Sequence, residues 1–365
     1  MNGRLYDGGG DGIPMTTLEI DGRLVGEGQP CYIIAEAGVN HNGDPALAKK
    51  LVDIAADAGA DAVKFQKRTV GDILIAEALM RPYTVPTSLG ATYGEHREKL
   101  ELSPDDWAML RDHARSRGIT LLASAWDMKS VDMLDDLGIP AFKIASADCS
   151  NLPLIEYIAK KGKPVLLSTG MSELAEVDEA VATVRRHNDQ LVLFQCTSTY
   201  PADNDQLNLR VILTYKDRYR CVVGYSGHER GLAPTEAAVA IGANVIERHF
   251  TIDRTMIGPD HAASLEPEGL KRLIRNIRNI EKALGSSEKK IMPGERAVRD
   301  RLAKSIVARR DIAAGTKITA EMLTVKGPGT GLKPNAIPLL VGVVAESPIE
   351  GDTLVPAEAL KWRRS

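Results

Sequence analysis

The chain has 365 residues, 44% of them apolar and 26% charged, and its formal net charge is -3. This length suits one large domain and one small one. The weak negative charge gives no basic footprint for nucleic acid or an acidic membrane, and no apolar stretch approaches the roughly 20 residues of a membrane span.

Residues 1–17 are rich in glycine and aspartate, lack the apolar core of a signal peptide, and are expected to form a flexible N-terminal segment. None of the four cysteines is part of a CxxC motif. Cys31, Cys196 and Cys221 lie in strand-like runs, where free cysteine behaves as a small buried hydrophobe. We therefore expect a reducing, cytoplasmic location.

Residues 18–285 alternate between apolar strand-like runs and amphipathic helical runs. The eight strand candidates are Cys31–Ala37, Ala60–Gln66, Thr120–Ala125, Ala141–Ser146, Pro164–Thr169, Leu191–Cys196, Cys221–Ser226 and Asn244–Phe250. Most are continuously apolar, which is typical of parallel strands covered on both faces. Helical runs fill most intervals, and Pro267–Leu284 follows the eighth strand. The pattern predicts an α/β fold, a (β/α)8 TIM barrel, over a doubly wound open sheet, which needs a switch point and usually has fewer strands.

Three segments depart from this alternation. The interval Arg68–Leu102 is too long for an ordinary barrel loop, and because it follows the second strand it is expected to lie over the active face. Residues 286–302 are polar and charged and are expected to form a linker. Residues 303–365 contain short strand-like runs, Ser305–Ala308 and Met322–Lys326 among them, and predict a small, mainly-β domain. Its size is marginal for independent stability, so we expect it to dock, for example on a partner barrel.

Two histidines, His228 and His249, end consecutive strand candidates. Two neutral imidazoles at one sheet edge suit a borderline divalent metal, and we favour this interpretation over satisfied core histidines. Glu247 precedes His249 by two residues and points to the same face, where it is either a ligand or a group that orients a histidine. Glu36, at the end of the first strand, is a candidate general base or hydroxyl acceptor. Arg248 points the other way and is expected to be structural.

Lys64 and Lys143 lie between apolar residues of predicted inner strands, where an unpaired ammonium group is costly. A bound anion would compensate that cost. Serines collect at the strand ends too, and although a single one is usually a solvated turn former, together with the lysines they can surround a phosphate. No GxxxxGK[ST] motif occurs and no GxGxxG follows a strand, so neither a nucleotide P-loop nor a dinucleotide site is indicated. The residues predict a divalent-metal barrel enzyme acting on a phosphorylated small molecule, and they leave the reaction open.

These stretches resemble the sialic acid (nonulosonic acid) synthase family over nearly the whole chain. The similar segments are Ile34–Gly43, Val63–Gln66, Thr92–His96, Phe142–Asp148, Leu167–Met171, Tyr225–His228, Glu247–Thr251 and Asp260–Pro267. The tail resembles the antifreeze-like (SAF) domain that these enzymes carry.

The resemblance implies condensation of phosphoenolpyruvate with an N-acetylmannosamine-type aldehyde sugar and release of phosphate. It places a divalent metal, often Mn2+ with Mg2+ or Co2+ as alternatives, on His228 and His249, with Glu36 and Glu247 as catalytic groups. Phosphoenolpyruvate would contact Lys64, Ser124, Lys143, Ser146, Ser168, Ser198 and Ser226. The sugar would contact Gln66, Asp148, Tyr200 and Asp260. A homodimer, in which the SAF domain covers the partner's active site, is also implied.

Some positions depart from the bacterial pattern. Gly327 stands where many bacterial members have an arginine that reaches the partner's sugar site, and Lys326 or Lys333 are candidates to replace it. Ser198 and Asp148 look closer to the animal-type synthases, which use a 6-phosphorylated sugar, so an N-acylneuraminate-9-phosphate synthase is an alternative. Two other classes stay open: a Schiff-base aldolase with Lys64 or Lys143 as nucleophile, and a non-catalytic carbohydrate-binding protein. The sequence does not identify the acceptor sugar.

Overall fold

The structure, a computed structural model, describes residues 16–361. Most of the predicted flexible N-terminal segment and the last four residues lie outside this range. The chain divides into two compact units, Met1–Gly285 and Ser286–Ser365, and each is considered by itself.

The first unit is a closed barrel of eight parallel strands preceded by a hairpin. The hairpin strands β1 (Thr17–Ile20) and β2 (Arg23–Gly26) pair antiparallel. The barrel strands are β3 (Tyr32–Gly38), β4 (Ala62–Lys67), β5 (Thr120–Ala125), β6 (Phe142–Ile144), β7 (Val165–Ser168), β8 (Leu191–Cys196), β9 (Val222–Gly227) and β10 (Val245–His249). They follow one another in chain order, and β10 pairs with β3 to close the ring. The TIM-barrel prediction is confirmed, and the predicted strand ends differ from the observed ones by one or two residues at most.

Helices connect the strands. They are α1 (Pro45–Ala58), α2 (Val70–Ile73), α3 (Ala76–Met80), α4 (Tyr93–Glu98), α5 (Pro104–Ser116), α6 (Met128–Leu137), α7 (Leu152–Ala159), α8 (Leu174–Arg185), α9 (Val211–Tyr219), α10 (Ala233–Ala240) and α11 (Pro267–Leu284). Local sequence explains their limits, as α1 illustrates. The Asp44 side chain caps this helix by accepting from Ala46 N, Pro45 fits its first turn, and Gly59 ends it in the left-handed region at φ 82°.

The barrel interior changes from apolar to polar along its axis. Near the amino ends of the strands, inward side chains pack in one buried cluster with the hairpin residues Leu18, Ile20 and Val25. The strand residues of that cluster include Ile34, Ala62, Leu122, Ala141, Leu166, Val192, Val222 and Val245. Two positions later on each strand, on the same face, stand Glu36, Lys64, Ser124, Lys143, Ser168, Phe194, Gly224 and Glu247. Polar groups therefore gather towards the carboxyl-terminal end of the barrel, where active sites of this fold lie.

Gly224 makes room for the one aromatic side chain among these inward residues. A Cβ atom at Gly224 would lie 2.6 Å from the ring of Phe194, which is fully buried. The ammonium nitrogen of Lys143 is 5.5 Å from the centroid of the same ring. Glycine at this position therefore leaves room for the Phe194 ring next to the polar side chains of the barrel interior.

The long interval after β4 folds into the short helices α2, α3 and α4. It brings Tyr93 and Arg97 to the wall of a cavity that also contains Trp126 and Asp148, which follow β5 and β6. The interval thus lies at the carboxyl-terminal face, as the sequence predicted.

The second unit has a small apolar core of its own. Strands β11 (Ser305–Ala308) and β12 (Leu323–Lys326) pair antiparallel, and helices α12 (Arg296–Leu302) and α13 (Ile337–Leu340) are short. Its buried core contains Ile306, Ala308, Ile312, Ile318, Leu323, Leu340, Ala345, Ile349, Val355, Ala359 and Leu360. The stretch predicted as a linker therefore includes a helix, α12.

Lys326, a candidate to replace the missing arginine, forms an ion pair with Asp352.

Across residues 16–361, no helix combines the length and the apolar character needed to cross a bilayer.

Candidate active site

A cavity of about 200 Å3 opens at the carboxyl-terminal end of the barrel. All but two of the residues proposed from the sequence line it: Glu36, Lys64, Gln66, Ser124, Lys143, Ser146, Ser168, Ser198, Tyr200, Ser226, His228, Glu247 and His249. The two exceptions are Asp148 and Asp260. We call this space the barrel cavity.

Lys64 sits between two carboxylates on the cavity floor. Its Nζ atom is 2.7 Å from Glu36 Oε2 and 3.5 Å from Glu247 Oε1, and it donates to Ser124 Oγ at 2.8 Å. Burial alone would lower the pKa of Lys64, but the charges of Glu247 and Glu36 raise it. The three side chains are almost fully buried, so Lys64 remains an ammonium group that holds the two acids in place.

The two acids have opposite pKa shifts. Burial raises the pKa of Glu36 despite the nearby charge of Lys64, and Glu247 adds to the rise. Burial acts in the same direction on Glu247, but the positive charges of Lys143 and Lys64 outweigh it and lower the pKa of this group. Glu36 also accepts from Gln66 Nε2 at 3.1 Å. Of the two acids, Glu36 is therefore the one placed to carry a proton during a reaction, whereas Glu247 stays charged.

Lys143 has much weaker compensation for its charge. Its Nζ atom donates to Ser168 Oγ at 2.6 Å and to the carbonyl of Ile144 at 3.1 Å, while Glu247 Oε2 is 4.0 Å away. Burial lowers the pKa of Lys143, and the attraction of Glu247 does not cancel that effect. An ammonium group that is buried and only partly neutralised favours a bound anion.

Hydroxyl groups at the strand ends surround the same space. Ser146 Oγ accepts from Gly170 N at 3.0 Å, and a Cβ atom at Gly170 would come within 2.2 Å of Ser198 Oγ and 2.9 Å of Ser146 Oγ. Glycine at position 170 thus lets two serines from different loops approach one another. Ser226 Oγ donates to Glu247 Oε1 at 3.4 Å. The hydroxyls and ammonium groups together offer several donors to the oxygens of one anion.

The two histidine rings lie close together in the wall of the barrel cavity. Their ring centroids are 5.4 Å apart, with 59° between the planes. His228 Nδ1 lies 2.7 Å from the carbonyl of Thr197, so this nitrogen carries the proton and Nε2 keeps its lone pair. Metal–imidazole bonds are about 2.0–2.1 Å long, and a centroid separation of this size is compatible with two rings that share one ion.

His249 also suits a metal ligand. Its Nδ1 atom is buried and forms no hydrogen bond among the described residues; the nearest carboxylate oxygen, Asp260 Oδ2, is 3.8 Å away. Burial lowers the pKa of His249 to about 4, so the ring is neutral near pH 7, as ligation requires. Burial acts the same way on His228, but the contacts with Cys196 and the Thr197 carbonyl raise its pKa.

No group of three or more histidine, cysteine or acidic residues within residues 16–361 is arranged to hold a metal ion. The donor set is therefore two imidazoles, with the Glu247 carboxylate nearby but engaged by Lys64 and Ser226.

The residues proposed for the sugar fall into two places. Gln66 and Tyr200 line the barrel cavity, and the Tyr200 ring lies against His228 at 4.0 Å between centroids. Asp260 is next to this cavity: a Cβ atom at Gly38 would be 3.3 Å from Asp260 Oδ2 and 3.4 Å from Gln66 Nε2. Asp148 instead faces a neighbouring cavity, because the chain turns away after β6 ends at Ile144.

Sequence reasoning did not assign to the site five residues that line the barrel cavity: Trp126, Ala145, Ala147, Met171 and Cys196. Cys196 was predicted only as a buried hydrophobe, yet its Sγ atom is 3.9 Å from His228 Nδ1 and 3.5 Å from Ser146 Oγ. Its position at the end of β8, two residues before the predicted site residue Ser198, was a usable signal. Trp126 and Met171 come from loops after strands, where side-chain direction does not follow from strand alternation.

Arg248 has the structural role expected of it. It lies on the outer face of β10, buried, where Nη1 is 2.7 Å from Glu229 Oε1 and donates to Thr235 Oγ1 at 2.6 Å. Glu229 directly follows His228, and Arg248 directly precedes His249. This buried ion pair therefore fixes the two histidine-bearing strand ends to each other from behind.

Comparison with known proteins places these features in a family. The chain matches the NeuB family over residues 51–289 and the SAF domain over residues 303–361. It is 44% identical to N-acetylneuraminate-9-phosphate synthase of Mus musculus, with 96% of this chain and 98% of that protein covered. It is 42% identical to N,N'-diacetyllegionaminic acid synthase of Legionella pneumophila, with 87% and 91% covered. The crystal structure of an N-acetylneuraminic acid synthetase from Leptospira borgpetersenii, in complex with citrate, superposes with a TM-score of 0.70 at 31% identity, covering 79% of this chain and 96% of that one.

Proposed function

The chain belongs to the NeuB family and is an enzyme of the transferase class, and we propose that it is a nonulosonic acid synthase. In this proposal it condenses phosphoenolpyruvate with N-acetylmannosamine or a related aldehyde sugar and releases phosphate. The observation that carries the proposal is the arrangement of Lys64, Lys143 and the serines opposite His228 and His249 in one small cavity.

Phosphoenolpyruvate would bind on the cationic side of the barrel cavity. Lys143 is the better phosphate ligand of the two lysines, because Glu247 neutralises it only from 4.0 Å. Lys64 already has Glu36 at 2.7 Å, so it serves mainly to hold the acids and to add positive charge. The hydroxyls of Ser146, Ser168 and Ser198 would complete the hydrogen bonds to the phosphate and carboxylate oxygens.

A divalent ion such as Mn2+, held by His228 and His249, would act as a Lewis acid on the aldehyde oxygen of the sugar. The neutral imidazole of His249 and the fixed tautomer of His228 prepare this side of the cavity for that role. Tyr200 lies against both rings, at 4.0 Å from His228 and 5.7 Å from His249 between centroids, and would limit access from solvent.

In the reaction, C3 of phosphoenolpyruvate attacks the aldehyde carbon, and the aldehyde oxygen takes up a proton to become a hydroxyl. Positive charge then develops at C2, and water adds there with loss of a proton. Glu36 would accept this proton, since burial raises its pKa and Gln66 Nε2 orients its carboxylate by donating to Oε1. The C2 hydroxyl of the adduct then loses its proton as the C2–O bond to phosphate breaks, and the leaving phosphate takes up that proton, giving the 2-keto-3-deoxy acid and inorganic phosphate. The charge of the leaving phosphate is stabilised by Lys143.

The sugar would lie along Gln66 and Asp260, on the side of the cavity where Gly38 leaves room for both. We further propose that the enzyme is a cytoplasmic homodimer in which the SAF domain covers the partner's active site. The marginal size of that domain supports docking. Removal of residues beyond Arg299 would then abolish most activity, and wild-type activity of the remaining barrel would refute this arrangement.

The function is tested by a phosphate-release screen of the full chain with phosphoenolpyruvate, Mn2+ and a panel of aldehyde sugars, with product masses determined. We expect release only when sugar is present, loss of release in EDTA, and rescue by Mn2+. A Schiff-base aldolase would instead be trapped by borohydride with substrate and would keep its activity in EDTA. A carbohydrate-binding protein would release no phosphate under any condition.

A further inference from the structure

The segment that joins β10 to α11 carries Asp260 to the edge of the barrel cavity. It spans residues 250–266 and contains one short 3-10 turn, His261–Ala263. Asp260 Oδ2 lies 3.8 Å from His249 Nδ1. We call this segment the Asp260 loop. Because most of the loop has no helix or strand ladder to fix it, the side chains that hold its backbone decide where the Asp260 carboxylate stands.

One buried side chain holds this loop at two places. Asn40, in the turn after β3, is fully buried, and its Nδ2 atom donates to the carbonyl of Phe250 at 2.8 Å and to Ser264 Oγ at 2.9 Å. Both hydrogens of the amide are therefore used. Ser264 Oγ in turn donates to the carbonyl of Asp260 at 2.7 Å. A single amide group thus fixes the backbone next to His249 and, through one hydroxyl, the backbone of Asp260.

A second asparagine of the same turn holds the tip of the loop. Asn42 Nδ2 donates to the carbonyl of Ile257 at 2.8 Å, and Asn42 has a left-handed backbone with φ 51°. Gly258 is the next residue of the loop, and a Cβ atom there would lie 2.7 Å from Asn42 Oδ1 and 2.5 Å from the ring of His261. Glycine at this position therefore lets the loop come close enough to the turn for the hydrogen bond to form.

The residue that follows Asp260 is anchored as well. His261 is fully buried, and its Nδ1 atom lies 2.6 Å from Thr251 Oγ1. Burial lowers the pKa of His261, so the ring is neutral near pH 7. The Asp260 backbone is thus held at its own carbonyl and at the next side chain. The Asp260 side chain, which is 22% exposed, is left to face the cavity.

The packing of the core does not explain why an asparagine occupies position 40. Asn40 Oδ1 is buried and has no hydrogen-bond partner among the described residues, and an unsatisfied buried acceptor lowers stability. An apolar side chain would fill the space without that cost. The position is therefore explained by what the two N–H groups of Asn40 hold in place.

Resting on the proposed function, we propose that Asn40 is a positioning residue that sets the metal ligand His249 and the sugar ligand Asp260 relative to each other. The bond to the Phe250 carbonyl acts on the metal side, and the bond to the Ser264 hydroxyl acts on the sugar side. Loss of the Ser264 hydroxyl displaces Asp260 and leaves the metal affinity unchanged, whereas loss of the Asn40 amide weakens binding of both metal and sugar.

The test measures three quantities in the full chain, for the wild type, Asn40→Ala and Ser264→Ala: KM for the acceptor sugar, KM for phosphoenolpyruvate, and Mn2+ affinity by paramagnetic resonance. The acceptor is N-acetylmannosamine or its 6-phosphate, whichever gives the wild type the higher kcat/KM. Ser264→Ala should raise KM for the sugar about 3- to 10-fold, the effect of one buried hydrogen bond, and leave the other two quantities unchanged. Asn40→Ala should raise KM for the sugar at least as much and weaken Mn2+ binding by a similar factor.

Thr255→Val is the matched control, because it also removes one hydroxyl from the Asp260 loop. Thr255 Oγ1 donates to Asp253 Oδ1 at 2.7 Å in the exposed part of the loop, and its loss should change none of the three quantities. Equal rises of both KM values in Ser264→Ala would overturn the inference. A lower free energy of unfolding in Asn40→Ala and Ser264→Ala, with unchanged kinetics and Mn2+ affinity, would overturn it too, since it would show a merely structural role.

The proposed function can fail separately from this inference. If neither sugar supports phosphate release by the wild type, the synthase proposal fails. Mn2+ binding then decides the role of Asn40: weaker affinity in Asn40→Ala but not in Ser264→Ala supports positioning of His249, and equal affinities overturn it. If Asn40→Ala does not fold, the KM values of Ser264→Ala decide by themselves.

Discussion

Replacing Lys143 with methionine should separate the role of this side chain in anion binding from any role in stability. Methionine keeps an unbranched chain of similar length but removes the ammonium group. In the folded protein that group is buried, and its closest carboxylate oxygen, in Glu247, is 4.0 Å away. The substitution therefore removes a charge that is poorly compensated until phosphoenolpyruvate binds.

The magnitude follows from two opposing terms. At 4 Å and an effective dielectric constant of 20, the attraction of one carboxylate is about 4 kcal/mol, while the effective penalty for burying an ammonium group is several kcal/mol. The attraction offsets the penalty only in part for Lys143, because its pKa is lowered, so removing the ammonium group should leave the free energy of unfolding unchanged or slightly higher. Loss of a charge-assisted hydrogen bond to the substrate costs about 1.5–3 kcal/mol, which corresponds to a roughly 10- to 150-fold higher KM for phosphoenolpyruvate.

Lys64→Met is the matched comparison because it removes the same group from a different setting. Lys64 lies 2.7 Å from Glu36 and 3.5 Å from Glu247, and its loss leaves Glu36 buried without its ion pair and Glu247 with Lys143 alone, 4.0 Å away. We expect a destabilisation of about 3–5 kcal/mol, measured by urea unfolding. Phosphate-release kinetics give the KM of Lys143→Met. An unchanged KM for phosphoenolpyruvate, or equal destabilisation in the two variants, would refute the assignment of Lys143 as the anion ligand.

Three further predictions address His249, Arg248 and Lys143. His249→Ala should abolish turnover and weaken Mn2+ binding measured by paramagnetic resonance, with an unchanged circular dichroism spectrum; retained metal affinity would contradict the ligand assignment. Arg248→Met should destabilise the fold by about 3–5 kcal/mol, since Glu229 is left buried without its ion pair. Adding Glu229→Gln to this variant should recover part of the lost free energy of unfolding. Additive losses in the double variant would show that the two groups do not interact. Burial lowers the pKa of Lys143 in the folded state. Above that lowered pKa the unfolded chain binds one more proton at Lys143 than the folded chain does, so the free energy of unfolding should rise with pH until the pH reaches the ordinary lysine pKa of about 10.4. The same rise should be absent from Lys143→Met in urea unfolding at several pH values, and identical pH profiles would contradict the shift.

The barrel was predictable because its strands carry continuous apolar runs, and strand alternation then placed the site. Ile34 and Glu36, or Ala141 and Lys143, are two residues apart, so the same face that packs the interior also presents the polar group. The hairpin β1–β2 was missed, although Asp21-Gly22 between Ile20 and Arg23 is a two-residue turn signal. Both residues have positive φ, 51° and 74°, as that turn requires. Its strands have only four residues each, too few for periodicity to show.

The parts of the site that depend on loops could not be predicted in the same way. Arg97 and Tyr93 reach the wall of the cavity beside Trp126 through the packing of α4, and Asp148 leaves the barrel cavity because a 3-10 turn, Ser146–Asp148, follows β6. No periodic pattern relates these residues to the strands. Asp148 was therefore assigned to the sugar without knowledge of the cavity it faces.

The central claim is that phosphate leaves by cleavage of the bond between C2 and the bridging oxygen, after water adds to C2 near Glu36. The direct test uses phosphoenolpyruvate with 18O in the bridging position, together with the aldehyde sugar and Mn2+. Mass spectrometry should find the label in inorganic phosphate and none of it in the keto acid. Label retained in the keto acid would mean cleavage at phosphorus and would contradict this account.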